Sequence, residues 1–478
     1  MISLKPIALV FAGVLTGLLS LAGLPASAQS QPKELSWYLA HAPFAMPAVA
    51  QPVIPHRDFL LTDYGATGNG QALNTVAFQQ AIKACSAAGG GRVVVPAGQW
   101  LTGPIELLSH VDLHLEKGAL VQFTRDHRQY PTIGNKATIA SPVYSIGQED
   151  IALTGEGVMD GAGETWRPVK KSKMTDAQWQ GLLSSPGFVL SPDQQIWWPS
   201  QEARDQDPHR PYMVAFNNCH RALIQGVTLR NSPKFVFYPS RCTDVTVDHA
   251  HIFNEWWAQN GDGIDISACK RVIVYACTVN AGDDGICMKS SGASPDGPAL
   301  EDVIVAGCTV YRAHGGFVIG SNTDGGMHDI FVSDCNFAGT DVGLRFKSNR
   351  GRGGVVNDIF IQDITMQDIV REAVLFDTYY EDVPAGATRG NEQHTDKTPE
   401  FRDFHISRVR CTGAATAISL TGLPGMPVSA IYFDNVEISA VKGLLATQAR
   451  NIHLHDVRLE VREKPEYRTD KTAEIRVD

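Results

Sequence analysis

Positive charge is in short supply in this sequence. Lysine and arginine number 41 of 478 residues against 51 aspartates and glutamates, a formal net charge of −10. No basic stripe stands out, so the electrostatic footprint of a nucleic-acid binder is missing. Beyond residue 24 no apolar run approaches membrane-spanning length. No C-x-x-C pair or Cys/His ligand spacing occurs, which argues against a zinc site. Helical periodicity is nearly absent, and Asp-Gly motifs do not recur in tandem as in a calcium-binding β-roll. What remains is 43% hydrophobic and 19% charged, ordinary for a soluble protein with a large core.

The one long apolar stretch comes first. Lys5, the run from Ile7 to Leu24 and the A-x-A site Ala26-Ser27-Ala28 predict a signal peptide over 1–28. The mature chain is then exported to a periplasm or beyond the cell, with no lasting membrane association, as a monomer. An extension covers 29–57 and one catalytic domain 58–478. Nine cysteines in such a protein raise the question of disulfides, and the odd count leaves at least one thiol unpaired in a monomer. Five of them (Cys219, Cys242, Cys269, Cys308, Cys335) recur about one repeat apart, which suits stacked thiols at least as well as bridges.

The repeat organises the chain. Apolar residues fall at x, x+2 and x+7, usually with Asp or Arg just before x. They are Leu113/Leu115/Leu120, Ile151/Leu153/Val158, Ala222/Ile224/Leu229, Val245/Val247/Ile252 and Val272/Val274/Val279. Then come Val303/Val305/Val310, Ile330/Val332/Phe337, Ile359/Ile361/Met366, Phe404/Ile406/Cys411, Ile431/Phe433/Ile438 and Ile452/Leu454/Leu459. The x, x+2 spacing is strand alternation, and most starting points lie roughly 21 to 31 residues apart, a solenoid period. Stacked units share one continuous core that no single unit can build. The fold expected is all-β, a single-stranded parallel β-helix. One helix precedes the repeats, capped by Asn74-Thr75, with Val76, Phe78, Ala81, Ile82 and Cys85 on one face and Gly89-Gly90-Gly91 after it. It covers the open N-terminal end. Segments of about 163–210 and 381–400 exceed the period and loop out.

Four consecutive coils carry the chemistry. In Ile264/Ile266, Ile286/Met288, Phe317/Ile319 and Leu344/Phe346 an inward row alternates, which turns Asp265, Val318, Arg345, Lys289 and Lys347 outward on one sheet. Asp262 and the pair Asp283-Asp284 lie at its N-terminal edge, with His314 one coil on. Neighbouring coils are about 4.8 Å apart, so three carboxylates, an imidazole and three cations share one patch. Glycoside hydrolysis needs one carboxylic acid to protonate the leaving oxygen and another carboxylate to activate water. Crowded carboxylates cannot all ionise, so one keeps a proton. The cations suit a substrate that carries carboxylates of its own.

These motifs resemble family 28 of the glycoside hydrolases, the polygalacturonase family, whose N-T-D, D-D, G-H-G and R-I-K read here as Asn260-Gly261-Asp262, Asp283-Asp284, Ala313-His314-Gly315 and Arg345-Phe346-Lys347. Tyr64-Gly65-Ala66, Val95-Pro96-Ala97-Gly98 and Leu101-Thr102-Gly103-Pro104 extend the similarity, which runs from about residue 58 to the 380s. The resemblance implies a right-handed β-helix and inverting hydrolysis of α-1,4-galacturonosidic bonds in a pectic polysaccharide or oligogalacturonide, without cofactor or metal. It implies Asp283 as general acid, Asp262 and Asp284 holding the attacking water, and His314 supporting the acid. Arg345 and Lys347 bind a galacturonate carboxylate, joined by Asn260, less firmly by Lys289, and by Tyr379 or Tyr380. Gly261 for Thr, Ala313 for Gly and Phe346 for Ile depart from the pattern and leave a rhamnogalacturonan or xylogalacturonan hydrolase open. A non-catalytic pectin-binding β-helix is the alternative of another class. The insertion at 163–210 enters two coils before Asp262, where it walls one end of the groove and favours exo action. Its Trp166, Trp179, Trp197 and Trp198 are suited to stacking on sugar, and its Lys170, Lys171 and Arg204 to meeting terminal carboxylates.

Overall fold

The residue before each apolar pair turns the chain sharply. Arg221, Asp244, Arg271, Asp302, Asp329, Asp358 and Asp403 all have left-handed backbone, φ between 53° and 59°. Aspartate tolerates that region better than most residues with a Cβ. Where arginine stands there it pairs with the coil before it: Arg221 Nε lies 2.7 Å from Asp150 Oδ1, and Arg271 Nε 2.7 Å from Asp244 Oδ1. That local chemistry accounts for the Asp-or-Arg signature of the repeat.

From each kink the chain enters short strands that pair in parallel with their counterparts one coil away. The computed structural model describes residues 32–134, 138–292, 299–380 and 397–478. Val245, Val272, Val303 and Ile330 align on one wall, and Ile252, Val279, Val310 and Phe337 on a second. Ile264, Ile286, Phe317 and Leu344 align on a third, a twelve-stranded parallel sheet running from Ile105–Glu106 to Tyr467–Thr469. All these side chains are buried in one core along the stack, each contributing about 1.5–3 kcal/mol. The fold is a parallel β-helix. In the first two coils Val121 and Met159 take the third inward position, not Leu120 and Val158, because the turn before them is one residue longer. Leu459, in the last coil, is only half-buried.

The helix Thr75–Ala87 buries Ala77, Phe78, Ala81, Ile82 and Cys85 against the first coils. Two details differ from the sequence reading. Val76 is 63% exposed, and the Asn74 amide bonds to Thr67 and Leu101 instead of capping the helix. Residues 32–57 run along the outside of the stack. Tyr38 packs on Ile304, Ala306 and Phe331, Lys33 pairs with Asp334 at 2.9 Å, and the Ala50 and Val53 amides donate to Asp244 and Asp150. Residues 1–28, expected to be a signal peptide, and most of 381–400 lie outside the described residues. Among the described residues no helix is long and apolar enough to cross a membrane.

The insertion leaves the stack as a small layer of its own. Strands Val169–Lys170, Val189–Leu190 and Ile196–Trp198 pair antiparallel, with the helix Asp176–Leu183 started by a Thr175–Gln178 capping box. Val169, Trp179 and Trp197 form its core. Trp166 is fully buried with its ring stacked on His127 at 3.4 Å, and Trp198 donates to Asp207. The expected sugar-stacking role of these tryptophans is therefore corrected: they hold the insertion together and onto the solenoid.

All nine cysteines are free and buried. Six of them form two columns where the sequence suggested one: Cys219, Cys242 and Cys269, with each earlier amide 3.4 Å from the next sulfur, and Cys277, Cys308 and Cys335. Burial pushes the Cys287 and Cys277 thiols well above their usual range, so they lack the thiolate that reacts. A thiol-titrating reagent is expected to find none in the native protein within minutes and nine in denaturant without reductant. A denatured count short of nine would mean disulfides.

Candidate active site

The outward positions of the twelve-stranded wall form a floor. In strands Ile264–Ser267, Asp284–Lys289, Gly315–Ile319 and Val342–Lys347, Asp265, Cys287, Val318 and Arg345 stand side by side, and Ser267 pairs with Lys289. The inward partners fix this register: Phe346 packs on Phe376 and Phe404 with ring centroids 4.5 and 5.0 Å away, which accounts for Phe where the family pattern has Ile. The loop before Asp262 is just as tight. A Cβ on Gly261 would stand 2.8 Å from both Ala258 Cβ and Asn254 Nδ2, so the threonine of the pattern does not fit here.

Asp262, Asp283 and Asp284 converge, with one oxygen from each within 4.8 Å of the others. Arg345 Nη1 binds Asp284 Oδ1 at 2.9 Å and Lys347 Nζ binds Oδ2 at 2.7 Å. Burial pushes the Asp284 carboxyl up, but Lys347, Arg345 and Lys289 outweigh it and hold the group far below the usual range. His314 Nδ1 lies 3.1 Å from Asp283 Oδ1 and its Nε2 3.8 Å from Asp341 Oδ2. Burial raises Asp283, yet the His314 contact leaves it below its ordinary value against the opposing charge of Asp284. Asp262 goes the other way: burial, then Asp265 and Asp283, raise it well above the carboxylate range. In the free site Asp262 is thus favoured to stay protonated and Asp283 to ionise. The fully buried Asp265 and the raised-pKa Lys289 pair at 2.8 Å, with Asp262 at 3.6 Å, so Lys289 is largely neutralised by the protein itself.

The two candidate tyrosines are placed differently. The Tyr380 ring lies 5.6 Å from the Arg345 guanidinium and 4.9 Å from Lys347 Nζ, while Tyr379 is buried and faces Arg350. Asn260, in left-handed backbone, accepts from Arg210 through Oδ1 at 3.1 Å. Four neighbours escaped the sequence reading: Asp341, Arg210, Trp256, whose ring meets His314 edge-on at 5.6 Å, and Lys173. Lys173 is the insertion lysine that reaches the acids, donating to Gly282 O at 2.6 Å and standing over Trp256 at 4.9 Å. Lys170, expected to meet a terminal carboxylate of the substrate, lines a cavity farther along.

The model of glycosyl hydrolases family 28 matches residues 179–458, more than half of the chain. A probable polygalacturonase of Vitis vinifera is 26% identical over 399 residues, 82% of this chain and 75% of the relative. An exo-poly-alpha-D-galacturonosidase of Dickeya chrysanthemi is 27% identical over 425 residues, 80% and 67% of the two chains. The crystal structure of an exopolygalacturonase from Thermotoga maritima superposes with a TM-score of 0.71 at 26% identity, covering 87% of this chain and 95% of that one. A family 28 exopolygalacturonase from Yersinia enterocolitica, at 22% identity and a TM-score of 0.73, shares the fold. A parallel β-helix with three carboxylates clustered on its outer wall thus has its counterpart in sequence, and the chain belongs to the family 28 glycosyl hydrolases.

Proposed function

We propose that the protein is an exported exo-polygalacturonase that hydrolyses α-1,4-galacturonosidic bonds with inversion. The observation that carries this reading is the pairing of Asp284 with both Arg345 and Lys347 beside Asp262, Asp283 and Tyr380: hydrolytic carboxylates and a cation pair for uronates in one patch. Oxygens up to 4.8 Å apart are within reach of one bridging water at hydrogen-bond length. Asp262 and Asp284 hold that water and Asp283 is the acid. A two-carboxylate inverting site spaces its groups about 6.5–9.5 Å apart; here a third carboxylate lets the water pair sit closer. Substrate binding lets Asp283 take up a proton from solvent. An arriving uronate competes for Arg345 and Lys347, their grip on Asp284 weakens, and repulsion between Asp284 and Asp283 then raises the Asp283 pKa. Export rests on the signal sequence, and exo action on the insertion beside Asn260 together with the exo-acting relatives.

Digestion of polygalacturonate followed by NMR and viscometry tests all of this. Monomer or dimer is expected from the first minutes, in the inverted anomeric form, with viscosity falling slowly. Retention would overturn the water-pair mechanism, a fast viscosity drop with mixed oligomers the exo assignment, and absence of new reducing ends the hydrolase reading.

A further inference from the structure

A cavity of about 340 Å³ opens beside the acids where the insertion meets the solenoid, lined by Lys170, Asp207, Arg210, Lys234, Gln259 and Asn260 among others. Its charges are not balanced. Arg210 is spent on the protein, with Nε 2.6 Å from Asp207 Oδ1 and its remaining nitrogens on Pro233 O, Gln259 O and Asn260 Oδ1. Because that contact takes the Asn260 oxygen, the Asn260 amide nitrogen is left as a donor. Lys234 is different. Among the described residues its Nζ has no hydrogen bond and no ion pair, and it rests 5.3 Å from the Tyr212 ring and 5.6 Å from the Phe235 ring. Burial and the neighbouring Arg210 press its pKa down, with Asp262 opposing. A half-buried ammonium on an aromatic wall with no carboxylate of its own is an anion receptor in want of an anion.

Lys234 precedes the strand Phe237–Ser240, two strands before Asp284–Lys289, while Arg345 and Lys347 lie on the second strand after it. The strand of Asp284 therefore lies midway between the two strands beside which these cations sit, about two strand spacings or roughly 10 Å from each along the axis. The Arg345 and Lys347 side chains reach back to Asp284, whereas Lys234 makes no ion pair with the acids among the described residues. Resting on the exo-polygalacturonase reading, we propose that this cavity seats the uronate unit on the far side of the scissile bond from Arg345 and Lys347. Lys234 and the Asn260 amide bind its carboxylate, and the insertion closes the pocket behind it. The unit released must then carry a free carboxylate.

The test compares trigalacturonate with the same oligomer methyl-esterified on the unit released first, using wild type, Lys234→Met and Lys234→Arg. Wild type is expected to favour the acid. Lys234→Met, which keeps the packing on Tyr212 and Phe235, is expected to lose about tenfold to a hundredfold in kcat/KM on the acid and to treat acid and ester alike. Lys234→Arg restores the preference. A Met variant that keeps the wild-type preference, or a wild type indifferent to the ester, overturns the subsite while leaving the hydrolase reading intact. A wild type inactive on both oligomers and on polygalacturonate overturns both.

Discussion

Replacing Asp283 by asparagine is expected to lower kcat on polygalacturonate by about a thousandfold, within the range that general acid catalysis supplies. The change keeps size and shape, and the amide oxygen still faces His314 Nδ1, now 3.1 Å from the carboxylate. Folding should not suffer. Among the described residues Asp283 makes no ion pair with arginine or lysine, and its neutralisation relieves its repulsion with Asp284. The melting temperature is expected to hold or fall slightly, because the depressed Asp283 pKa means that its charge favours the folded state, and oligogalacturonide affinity to stay within a few fold. Asp284→Asn is a poorer experiment, because it leaves Arg345 and Lys347 buried without their carboxylate. Unpairing buried charges costs about 3–5 kcal/mol, and lost activity would then mix with lost fold. If Asp283→Asn kept a tenth of the wild-type kcat, Asp283 would not be the acid. The acid would then have to be sought at Asp262, whose pKa burial raises.

How far the sequence could be read depends on the range of each interaction. Strand alternation is local, so the inward and outward rows of the floor were legible down to Asp265 and Arg345 facing the same way. Register across coils repeats, so four motifs about one period apart could be stacked by hand. One extra turn residue was enough to shift the third inward position in the first two coils, because a single residue moves a side chain to the other face. The insertion has no period. Whether Trp179 and Trp197 face sugar or each other depends on its own small core, and no spacing encodes that. The same holds for Lys173 and Asp341 beside the acids and for Lys234 in the neighbouring cavity, none of them on a strand of the repeat. Charge balance was also hidden. Three cations near three aspartates look alike in a sequence, yet Lys289 is absorbed by Asp265 while Arg345 and Lys347 share Asp284.

That division makes Lys347 the more telling cation to remove. Lys347→Met is expected to reduce kcat/KM on oligogalacturonides by about a hundredfold, at the upper end of a charge-assisted contact, and to leave a neutral galactose analogue much less affected. Its second effect is electrostatic. Lys347 lowers the pKa of Asp284 directly and that of Asp283 at longer range. Without that positive charge both carboxyls hold protons more tightly, so half of the Asp283 groups lose theirs only at a higher pH. Activity that requires protonated Asp283 therefore persists further into alkali, and the basic limb of the pH–rate profile moves up. Stability moves in the opposite sense. Asp284 has a depressed pKa in the folded state, so its contribution is present above the unfolded value near 4 and fades as pH falls below it. The variant should melt earlier than wild type at neutral pH, and the gap should narrow in acid. A purely structural lysine would lower stability alone, with equal losses for charged and neutral ligands and an unmoved basic limb. That result would strip Lys347 of its uronate-binding role.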